Sequence, residues 1–499
     1  MSRRLGVLAV SILLLFAAVA AQAVNVQFFR ASALNSSSEN PRGSAATTLY
    51  PRGEIQAADG TVLAQSVPTT SGYSPWRRVY PLGSLTSGVV GFSSPSYALW
   101  GLEAQYNTYL AAHAQPPQSF AQLLAPTTAA DSVTLTIQPA LQQVARNALN
   151  GQDGAAVVLD PRTGAVLAMY SNPNYDPAPL ESNSFLVAEA QWKRIVKNDA
   201  HGFSPLGLVA TQQSFPPGST FKVVTTAAAV IGRPDLLVKS YPNKTTISLP
   251  QSNKTLSNFG FGSCGGTVQT MLPYSCDTGY ALIGLDLGGT LLASTADAFG
   301  FDVVPPLDLP GVAVSNFPTG ASFLSNQPGL AYSAIGQQNV RATALQNALI
   351  AAAIGNDGIM MTPHLMDYIS GPDGSIVLHY KDKVWLNPLT PQQAAVIVPL
   401  MQHVAQYGTA GGIFPAVLNV AAKTGTAQTG NSAKNTDDWM IAFAPAIHPT
   451  VAVAVVMPFQ PISKTGAEVA GPIVKCLIEG ALALQAGHKA TGTPLTCPK

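Results

Sequence analysis

A serine and a lysine stand three residues apart in the segment Pro-Pro-Gly-Ser-Thr-Phe-Lys, which ends at Lys222. The Pro-Pro-Gly run disfavours helix before Ser219, and the apolar residues after Lys222 favour it. We therefore expect Ser219 at a helix N-terminus, with Lys222 one turn later on the same face. Amide groups and the helix dipole stabilise negative charge there, and a buried neutral lysine can take the proton of a nucleophilic serine. An N-cap serine beside a solvated lysine would explain the same spacing.

Two further short motifs follow along the chain. The first is Ser-Cys-Asp at residues 275–277, and the second is Lys-Thr-Gly at residues 423–425, inside an apolar and strand-like stretch. Lysine is depleted in strands and in protein cores, so Lys423 is unusual in such a strand. Either it has a chemical role, or it protects an exposed edge strand against aggregation.

Patterns for cofactor and metal binding are weak. Gly-Phe-Gly-Ser-Cys-Gly at residues 260–265 fits the dinucleotide pattern G-x-G-x-x-G, but no clear strand precedes it and no helix follows at once. The seven histidines include no H-E-x-x-H sequence and no close pair. We expect neither a metal site nor a cofactor.

The four cysteines are too few for a disulfide-scaffold protein and are not spaced as in a zinc ribbon. Four cysteines allow three pairings. We favour Cys264 with Cys276 and Cys476 with Cys497, because both pairs close short loops. Buried thiols without a disulfide are the alternative.

The elements that must position these motifs form an α+β pattern. Residues 133–137 read as a β-branched strand, Pro139 opens a helix, and residues 155–170 read as a β-hairpin around Pro-Arg-Thr-Gly. Apolar periodicity then predicts helices at 222–232, 341–354, 391–405 and 466–486, and strands at 418–428, 438–444 and 450–457. The early and the late strands are separated by a helical region. They can form one sheet only if the two ends of this part of the chain come together.

Composition excludes several classes of protein. A net charge of +1 argues against nucleic acid as the main partner, because phosphate binding needs a basic excess. A hydrophobic fraction of 47% supports large packed cores and excludes global disorder.

The N-terminal segment has the charge and hydropathy pattern of a membrane-targeting sequence. Arg3 and Arg4 precede an apolar run from Leu5 to Val24, which as a helix is about 30 Å long. The flanking arginines predict that the first residues stay in the cytoplasm and that the rest lies outside. We interpret residues 1–24 as a cytoplasmic stub and transmembrane anchor. A signal peptide cleaved after Ala-Gln-Ala at 21–23 is the alternative.

The remaining chain divides by composition. Residues 25–48 are rich in turn formers and read as a linker, and residues 49–130 read as a small first domain with a β-hairpin at Asp59-Gly60. A boundary near Asp131 then separates this domain from a large one at 131–490, followed by a tail at 491–499.

The order Ser-x-x-Lys, Ser-x-Asp, Lys-Thr-Gly resembles the motif trio of β-lactamases and penicillin-binding proteins. Further family-like segments are Arg-Gly-Glu-Ile at 52–55 and Gly336-Gln337 before Val-Arg-Ala-Thr at 340–343. Over residues 1 to about 490 the chain resembles a class B penicillin-binding protein, a monofunctional, membrane-anchored D,D-transpeptidase of actinobacterial type. The resemblance implies a transpeptidase domain like the serine β-lactamases, with a central antiparallel sheet flanked by helices. A small N-terminal α/β domain of the pedestal or dimerisation type would precede it.

The resemblance also implies catalytic roles. Ser219 would attack the carbonyl between the two terminal D-alanines of a peptidoglycan stem peptide, with Lys222 as its general base. Ser275 would relay a proton to the leaving D-alanine. Backbone N–H groups of Ser219 and Thr426 would form the oxyanion hole. An amine of a neighbouring stem peptide would then resolve the acyl-enzyme into a cross-link.

Substrate binding would fall, by the same resemblance, to Asp277, Lys423, Thr424, Gly425 and Thr426. Lys423 and Thr424 would hold the carboxylate of the substrate or of a β-lactam, and Gly425 would let the strand approach the substrate closely. Asp277 departs from the asparagine that the family usually has, and Gln338 departs from a frequent glycine. The first departure indicates a slow or specialised enzyme.

The implied partners are stem peptides ending in D-Ala-D-Ala, β-lactams, the membrane and a polytopic SEDS-type glycan polymerase. A polymerase partner is expected because the first domain is too small to be a second catalytic domain of usual size. Two alternatives stay open: a β-lactam-hydrolysing or β-lactam-sensing protein on the same fold, and a weakly active scaffold subunit of a wall-synthesis complex. Against the β-lactamase alternative, we find no convincing glutamate that could act as base for deacylation. The scaffold alternative is supported by Asp277 in place of the usual asparagine.

Overall fold

The computed structural model describes residues 2–25, 50–70, 75–114, 128–429 and 435–487. Its first helix, α1, covers Ser2–Val24, where the sequence predicts an anchor. Within these ranges we find no helix whose length and apolar character together would let it span a bilayer. Most of the predicted linker and all of the predicted tail lie outside the described residues.

Two sheets organise the described chain after α1, one of six strands and one of five. Their strands are, in chain order, β1 (Ile55–Gln56), β2 (Val62–Pro68), β3 (Trp76–Val79), β4 (Ser132–Leu135), β5 (Gly154–Leu159), β6 (Val166–Asn172), β7 (Met366–Ser370), β8 (Ile376–His379), β9 (Ala421–Gln428), β10 (Asn435–Ala444) and β11 (Val451–Pro461).

The longer helices surround these sheets. They are α2 (Pro139–Leu149), α3 (Phe185–Ile195), α4 (Lys222–Gly232), α5 (Asp277–Leu287), α6 (Gly289–Ala298), α7 (Gln327–Ser333), α8 (Ala344–Gly355), α9 (Pro391–Gln406) and α10 (Gly466–Gln485).

The short α-helices of four residues are Ser87–Val90, Leu102–Gln105, Asn107–Leu110, Val209–Gln212, Asp235–Val238 and Val268–Met271. Pairs of short strands are Phe92–Ser94 with Ala98–Trp100, His113–Ala114 with Thr128–Ala129, Tyr241–Lys244 with Cys264–Gly266, Thr246–Ser248 with Thr255–Ser257, and Met360–Met361 with Val384–Leu386.

The five-stranded sheet has the order β6-β5-β11-β10-β9, and every neighbouring pair is antiparallel. The predicted hairpin forms β5 and β6, and β5 pairs with the late strand β11. The two ends of this region therefore meet in one sheet, and the α+β prediction is confirmed. Strand β9, which carries the Lys-Thr-Gly motif, lies at the edge.

Helices cover both faces of this sheet. Met440 of β10 contacts α10 at Gly471, whereas Phe443 of the same strand contacts α8 at Gly355. Residues an odd number apart on a strand point to opposite faces, so α10 and α8 lie on opposite sides. All residues of α8 are buried, and all but Gln346 and Asn347 are apolar or glycine, as expected for a helix in the core.

Several element boundaries differ from prediction by a few residues. Helix α8 begins at Ala344 rather than at 341, because Arg341 and Ala342 form isolated β-bridges and Thr343 caps the helix. Strand β9 begins at Ala421 rather than at 418, because Asn419 adopts a left-handed φ of 45° that ends a short turn. Helix α4 has the predicted bounds.

The six-stranded sheet has the order β8-β7-β4-β1-β2-β3. Strands β1 and β2 form the predicted hairpin, with Gly60 at a φ of 81°. Strand β4 pairs in parallel with β1 and antiparallel with β7. This sheet therefore contains strands from both sides of the predicted boundary near Asp131.

Candidate active site

A cleft of about 960 Å³ brings together residues of all three predicted motifs. Ser219, Ser275 and Asp277 line it, together with Thr424 and Thr426 of β9. Lys222 and Lys423 lie beneath this lining and are fully buried.

Ser219 lies in a 3-10 turn, Gly218–Phe221, that leads directly into α4. The helical start that we expected at Ser219 is a 3-10 turn, and α4 itself begins at Lys222, as predicted. Gly218 has a φ of 53°, and its N–H donates to the Gly336 carbonyl at 2.9 Å. A Cβ at Gly336 would overlap the Gly218 carbonyl, so this family-like glycine lets its loop support the turn of Ser219.

Lys222 donates hydrogen bonds from its ammonium to the middle motif. Its Nζ lies 2.6 Å from Asp277 Oδ1, 2.7 Å from the Ser275 carbonyl and 3.4 Å from Ser275 Oγ. Burial lowers the pKa of Lys222 below its usual value, and the charge and hydrogen bond of Asp277 oppose that shift.

The middle motif lies at the start of α5. Ser275 has a left-handed φ of 57°, Cys276 is the N-cap residue and Asp277 begins the helix. Asp277 also accepts a hydrogen bond from the Phe259 N–H through its second oxygen, at 2.9 Å. Each carboxylate oxygen of Asp277 thus accepts one hydrogen bond, Oδ1 from the ammonium of Lys222 and Oδ2 from the N–H of Phe259.

Lys423 completes a connected set of polar groups. Its Nζ donates to Ser275 Oγ at 2.9 Å and to the Thr424 carbonyl at 2.9 Å. Burial lowers the pKa of Lys423 well below its usual value, the charge of Lys222 acts in the same direction, and Asp277 opposes both. The Ser275 hydroxyl therefore lies between two buried amines, and this arrangement suits proton transfer.

Gly425 packs strand β9 against the turn of Ser219. A Cβ there would lie 2.8 Å from the Pro217 carbonyl oxygen and 2.9 Å from Thr220 Cγ2. Gly425 is therefore needed for the close approach of β9 to the turn of Ser219. The Trp439 indole of β10 reinforces this junction by donating to the Pro216 carbonyl at 2.9 Å.

The two threonines of β9 have polar partners. Thr424 Oγ1 lies 2.6 Å from Thr409 Oγ1, and Thr426 Oγ1 accepts the N–H of Gly466 at 3.0 Å. Sequence reasoning missed Thr409 and Phe259, since neither belongs to a motif. A threonine in a loop and a backbone amide give no signal in one sequence.

One wall of the cleft is tied to the middle motif by a disulfide between Cys264 and Cys276. Cys264 begins a short strand that pairs with Tyr241–Lys244. Cys476 is also disulfide-bonded, and Cys497, its predicted partner, lies outside the described residues. That second pairing stays a prediction.

Only one group of side chains in the described ranges has the spacing of metal ligands. It consists of Asp153, Asp199 and His201, and it includes no residue of the three motifs. Exposed acidic groups of this kind are common without an ion. The segment at 260–265 lines the cleft beside the motifs and includes the short strand of Cys264, so its glycines do not open a helix.

Comparisons with known proteins agree with this geometry. The family model of the penicillin-binding protein transpeptidase domain matches residues 154–479, and that of the penicillin-binding protein A dimerisation domain matches residues 52–134. The chain is 37% identical to the peptidoglycan D,D-transpeptidase PbpA of Mycolicibacterium smegmatis, over 97% of this chain and 99% of that protein. It is 35% identical to PbpA of Mycobacterium tuberculosis, over 97% and 99% of the two chains.

Solved structures resemble most of the chain. The ceftriaxone acyl-enzyme complex of penicillin-binding protein A from M. tuberculosis has a TM-score of 0.79 and 34% identity, over 88% of this chain and 100% of that chain. Its penicillin G acyl-enzyme complex has a TM-score of 0.77 and 35% identity, over 87% and 99%. By sequence, fold and motif order, the chain belongs to the class B penicillin-binding proteins.

Proposed function

We propose that this protein is a peptidoglycan D,D-transpeptidase that forms its acyl-enzyme on Ser219. The observation that carries the proposal is the convergence of Lys222 and Lys423 on the Ser275 hydroxyl, in the cleft that Ser219 lines. A serine needs a base, a proton path and a site for the developing oxyanion before it can attack an amide. The three motifs supply residue types for each of these tasks.

Acylation begins when neutral Lys222 takes the proton of Ser219 as its Oγ attacks the carbonyl between the two D-alanines. The backbone N–H groups of Ser219 and Thr426 bind the oxyanion. The amide bond breaks, and the departing D-alanine amine receives a proton through Ser275. Burial lowers the pKa of Lys222, and this direction supports its role as base, because only the neutral amine can accept a proton.

Substrate recognition falls to β9 and to the middle motif. Lys423 and Thr424 hold the terminal carboxylate of the stem peptide, or that of a β-lactam, and Asp277 faces the same cleft. Gly425 brings β9 close to the catalytic turn, so that Thr426 and Ser219 can act on one carbonyl. An amine of a second stem peptide then attacks the acyl-enzyme and forms the cross-link.

The substrate also suggests where the protein acts. Peptidoglycan is assembled outside the cytoplasmic membrane, so we place the catalytic region there, held by residues 1–24 as a single-pass anchor. A cleaved signal peptide is the alternative for the same residues. A SEDS-type polymerase in the membrane would supply the glycan strands, since residues 49–130 are too few for a second catalytic domain of usual size.

The test is to treat the full-length protein with a fluorescent penicillin and to map the modified residue. We expect the label on Ser219 and expect Ser219→Ala to abolish it. Ser240→Ala is the matched control, because Ser240 lines the same cleft outside the motifs, and this variant should label like wild type. Normal labelling of Ser219→Ala would contradict the assignment.

The Lys222–Asp277 ion pair favours a second candidate, a weakly active scaffold subunit, because it stabilises the charged form of the proposed base. The same labelling experiment separates the candidates. A transpeptidase forms a long-lived adduct within minutes, a scaffold labels slowly or not at all, and a β-lactamase releases hydrolysed penicillin with turnover.

A further inference from the structure

Asp438 of β10 is a buried carboxyl group without a well-formed hydrogen bond. Its side chain has no exposure to solvent. Among the described residues, neither of its oxygens has a hydrogen bond of good geometry, although the hydroxyls of Thr436 and Thr426 are near enough to interact with the carboxyl group. Buried carboxyls normally have such hydrogen bonds, because an unsatisfied one costs free energy. The burial of Asp438 next to β9 therefore suggests a functional role for this carboxyl group.

The position of Asp438 links it to the proposed oxyanion hole. In the pairing of β9 with β10, Asp438 lies directly opposite Thr426. Directly opposed residues share a face of the sheet, so both side chains point to the same side. That side is covered by α10, since Met440, two residues from Asp438, contacts that helix.

Thr426 connects Asp438 to the N-terminus of α10. The Gly466 N–H donates to Thr426 Oγ1 at 3.0 Å. A Cβ at Gly466 would overlap the carbonyls of Gly425 and Trp439, so the helix start is pressed against the β9–β10 pair. A change of charge at Asp438 therefore acts on a tightly packed junction of β9, β10 and α10.

The surrounding charges favour the neutral form of Asp438. Strand β11 and helix α8, which pack against β10, carry no charged residue, and β9 carries Lys423 on its opposite face. Helix α10 carries Glu468, Lys475 and Glu479. Burial raises the pKa of Asp438 to about 7. The charges of Asp437 and Glu468 add to that shift, and the nearby hydroxyls of Thr436 and Thr426 oppose it.

We propose that Asp438 is a positioning residue whose ionisation slows acyl transfer to Ser219 by placing a negative charge behind Thr426. This inference rests on the proposed function, in which the Thr426 N–H binds the oxyanion. With Asp438 neutral, the junction behind Thr426 carries no added charge. With Asp438 ionised, a like charge opposes the negative charge that develops on the substrate oxygen. Ionisation of Asp438 therefore makes acylation slower under alkaline conditions.

The neighbouring Asp437 provides a matched control. It is equally buried, in the same strand, but one residue away, so its side chain points to the other face. Its Oδ1 accepts the N–H of Phe459 at 3.3 Å. Replacing it removes a buried carboxyl from β10 without removing the group opposite Thr426.

The test measures the second-order rate of acylation of the full-length protein by a fluorescent penicillin from pH 5.5 to 9.5. We expect the wild-type rate to fall above about pH 7, as Asp438 ionises. Asp438→Asn should match wild type within about twofold at pH 5.5 and exceed it about tenfold at pH 9, since the like charge is gone. Asp437→Asn should keep the alkaline fall, moved slightly to lower pH, because it loses a neighbour that favours neutral Asp438.

Three results would overturn the inference: a constant ratio of the Asp438→Asn and wild-type rates across pH, the same pH-dependent ratio for Asp437→Asn, or a wild-type rate that still rises from pH 7 to 9. Asp438→Ser, a smaller neutral substitution, replaces the asparagine variant if that protein does not fold by circular dichroism. A lack of label on Ser219 at every pH would contradict the proposed function instead, so the two failures are distinguishable.

Discussion

Asp277 stands where the related motif usually has asparagine, and its carboxylate contacts the amine that we propose as general base. The two charged atoms are 2.6 Å apart, and the lysine is fully buried. Burial lowers the pKa of Lys222, and the aspartate raises it. The protonation state of the base is therefore set by two opposing effects, one of which a single substitution removes.

We expect Asp277→Asn to acylate faster than wild type, with the acid limb of its pH–rate profile moved to lower pH. The sign follows from the mechanism: neutral Lys222 is the active form, and loss of the carboxylate charge lowers its pKa further. The expected gain is roughly 3–10-fold at pH 6. Second-order acylation rates with a fluorescent penicillin from pH 5 to 9 measure it.

Asp286→Asn is the control for this variant. Asp286 lies on the same helix, α5, but binds Lys239 and Tyr241 rather than a motif residue. Its profile should coincide with that of wild type. Equal or slower acylation by Asp277→Asn at every pH would show that Asp277 contributes to the reaction in a way that asparagine cannot replace.

At the level of single elements, the disulfide between Cys264 and Cys276 fixes the start of α5 against the wall of the cleft. Cys276 lies between Ser275 and Asp277, so the cross-link restrains the two polar residues of the middle motif. The sequence separation of 12 residues makes this a short loop. Such a cross-link stabilises a protein mainly by restricting the unfolded chain.

We expect the double variant Cys264→Ser/Cys276→Ser to be less stable than wild type by about 2–3 kcal/mol. Its acylation should also be several-fold slower, because Ser275 and Asp277 lose their restraint. Thermal unfolding and penicillin labelling measure the two effects. As a control, a reductant should lower the melting temperature of wild type much more than that of the variant. A variant with wild-type stability and labelling rate would show that the start of α5 is held by its other contacts.

Elements marked by local chemistry could be predicted from the sequence, and those that depend on distant partners could not. Pro-Pro-Gly and the apolar run after it specify α4, and the bounds of that helix agree with prediction. The start of β9 was missed because the left-handed conformation of Asn419 has no reliable sequence signal. The disulfide partner of Cys264 could be predicted because Cys276 closes the shorter loop. The position of Asp438 opposite Thr426 depends on the register of β9 and β10, which the sequence does not indicate.

At the level of the whole molecule, the small N-terminal part and the transpeptidase part share one sheet. Strand β4 lies between β1 and β7, so residues near position 55 and residues near position 369 both pair with Val133 of β4. The sequence motifs predicted the N-terminal part and the transpeptidase part. No local pattern indicates a strand pairing between residues so far apart in the sequence. The buried cluster of Arg52, Arg78 and Glu103 lies beside this junction, and Arg78 donates to the Gly53 carbonyl at 2.8 Å.

Gly53 offers a direct test of this coupling. A Cβ there would overlap the carbonyl of Asp131, and the next residue, Glu54, accepts the N–H of Val133 at 2.9 Å. Gly53→Ala should therefore force β1 and β4 apart at a cost of about 3 kcal/mol. Because the sheet is shared, we expect one unfolding transition in both proteins, lowered by about 5–10 °C in the variant. Penicillin labelling should be lost over the same temperature range.

The measurement combines calorimetry of the full-length protein with labelling at each temperature. Gly262→Ala is the control, because a Cβ at Gly262 meets no atom within 4 Å, and its melting temperature should equal that of wild type. Two separate transitions, with only the lower one moved by Gly53→Ala and labelling tied to the upper one, would show that the parts unfold independently. A single lowered transition would mean that the backbone bonds of β4 make the stability of the catalytic cleft depend on residues far outside it.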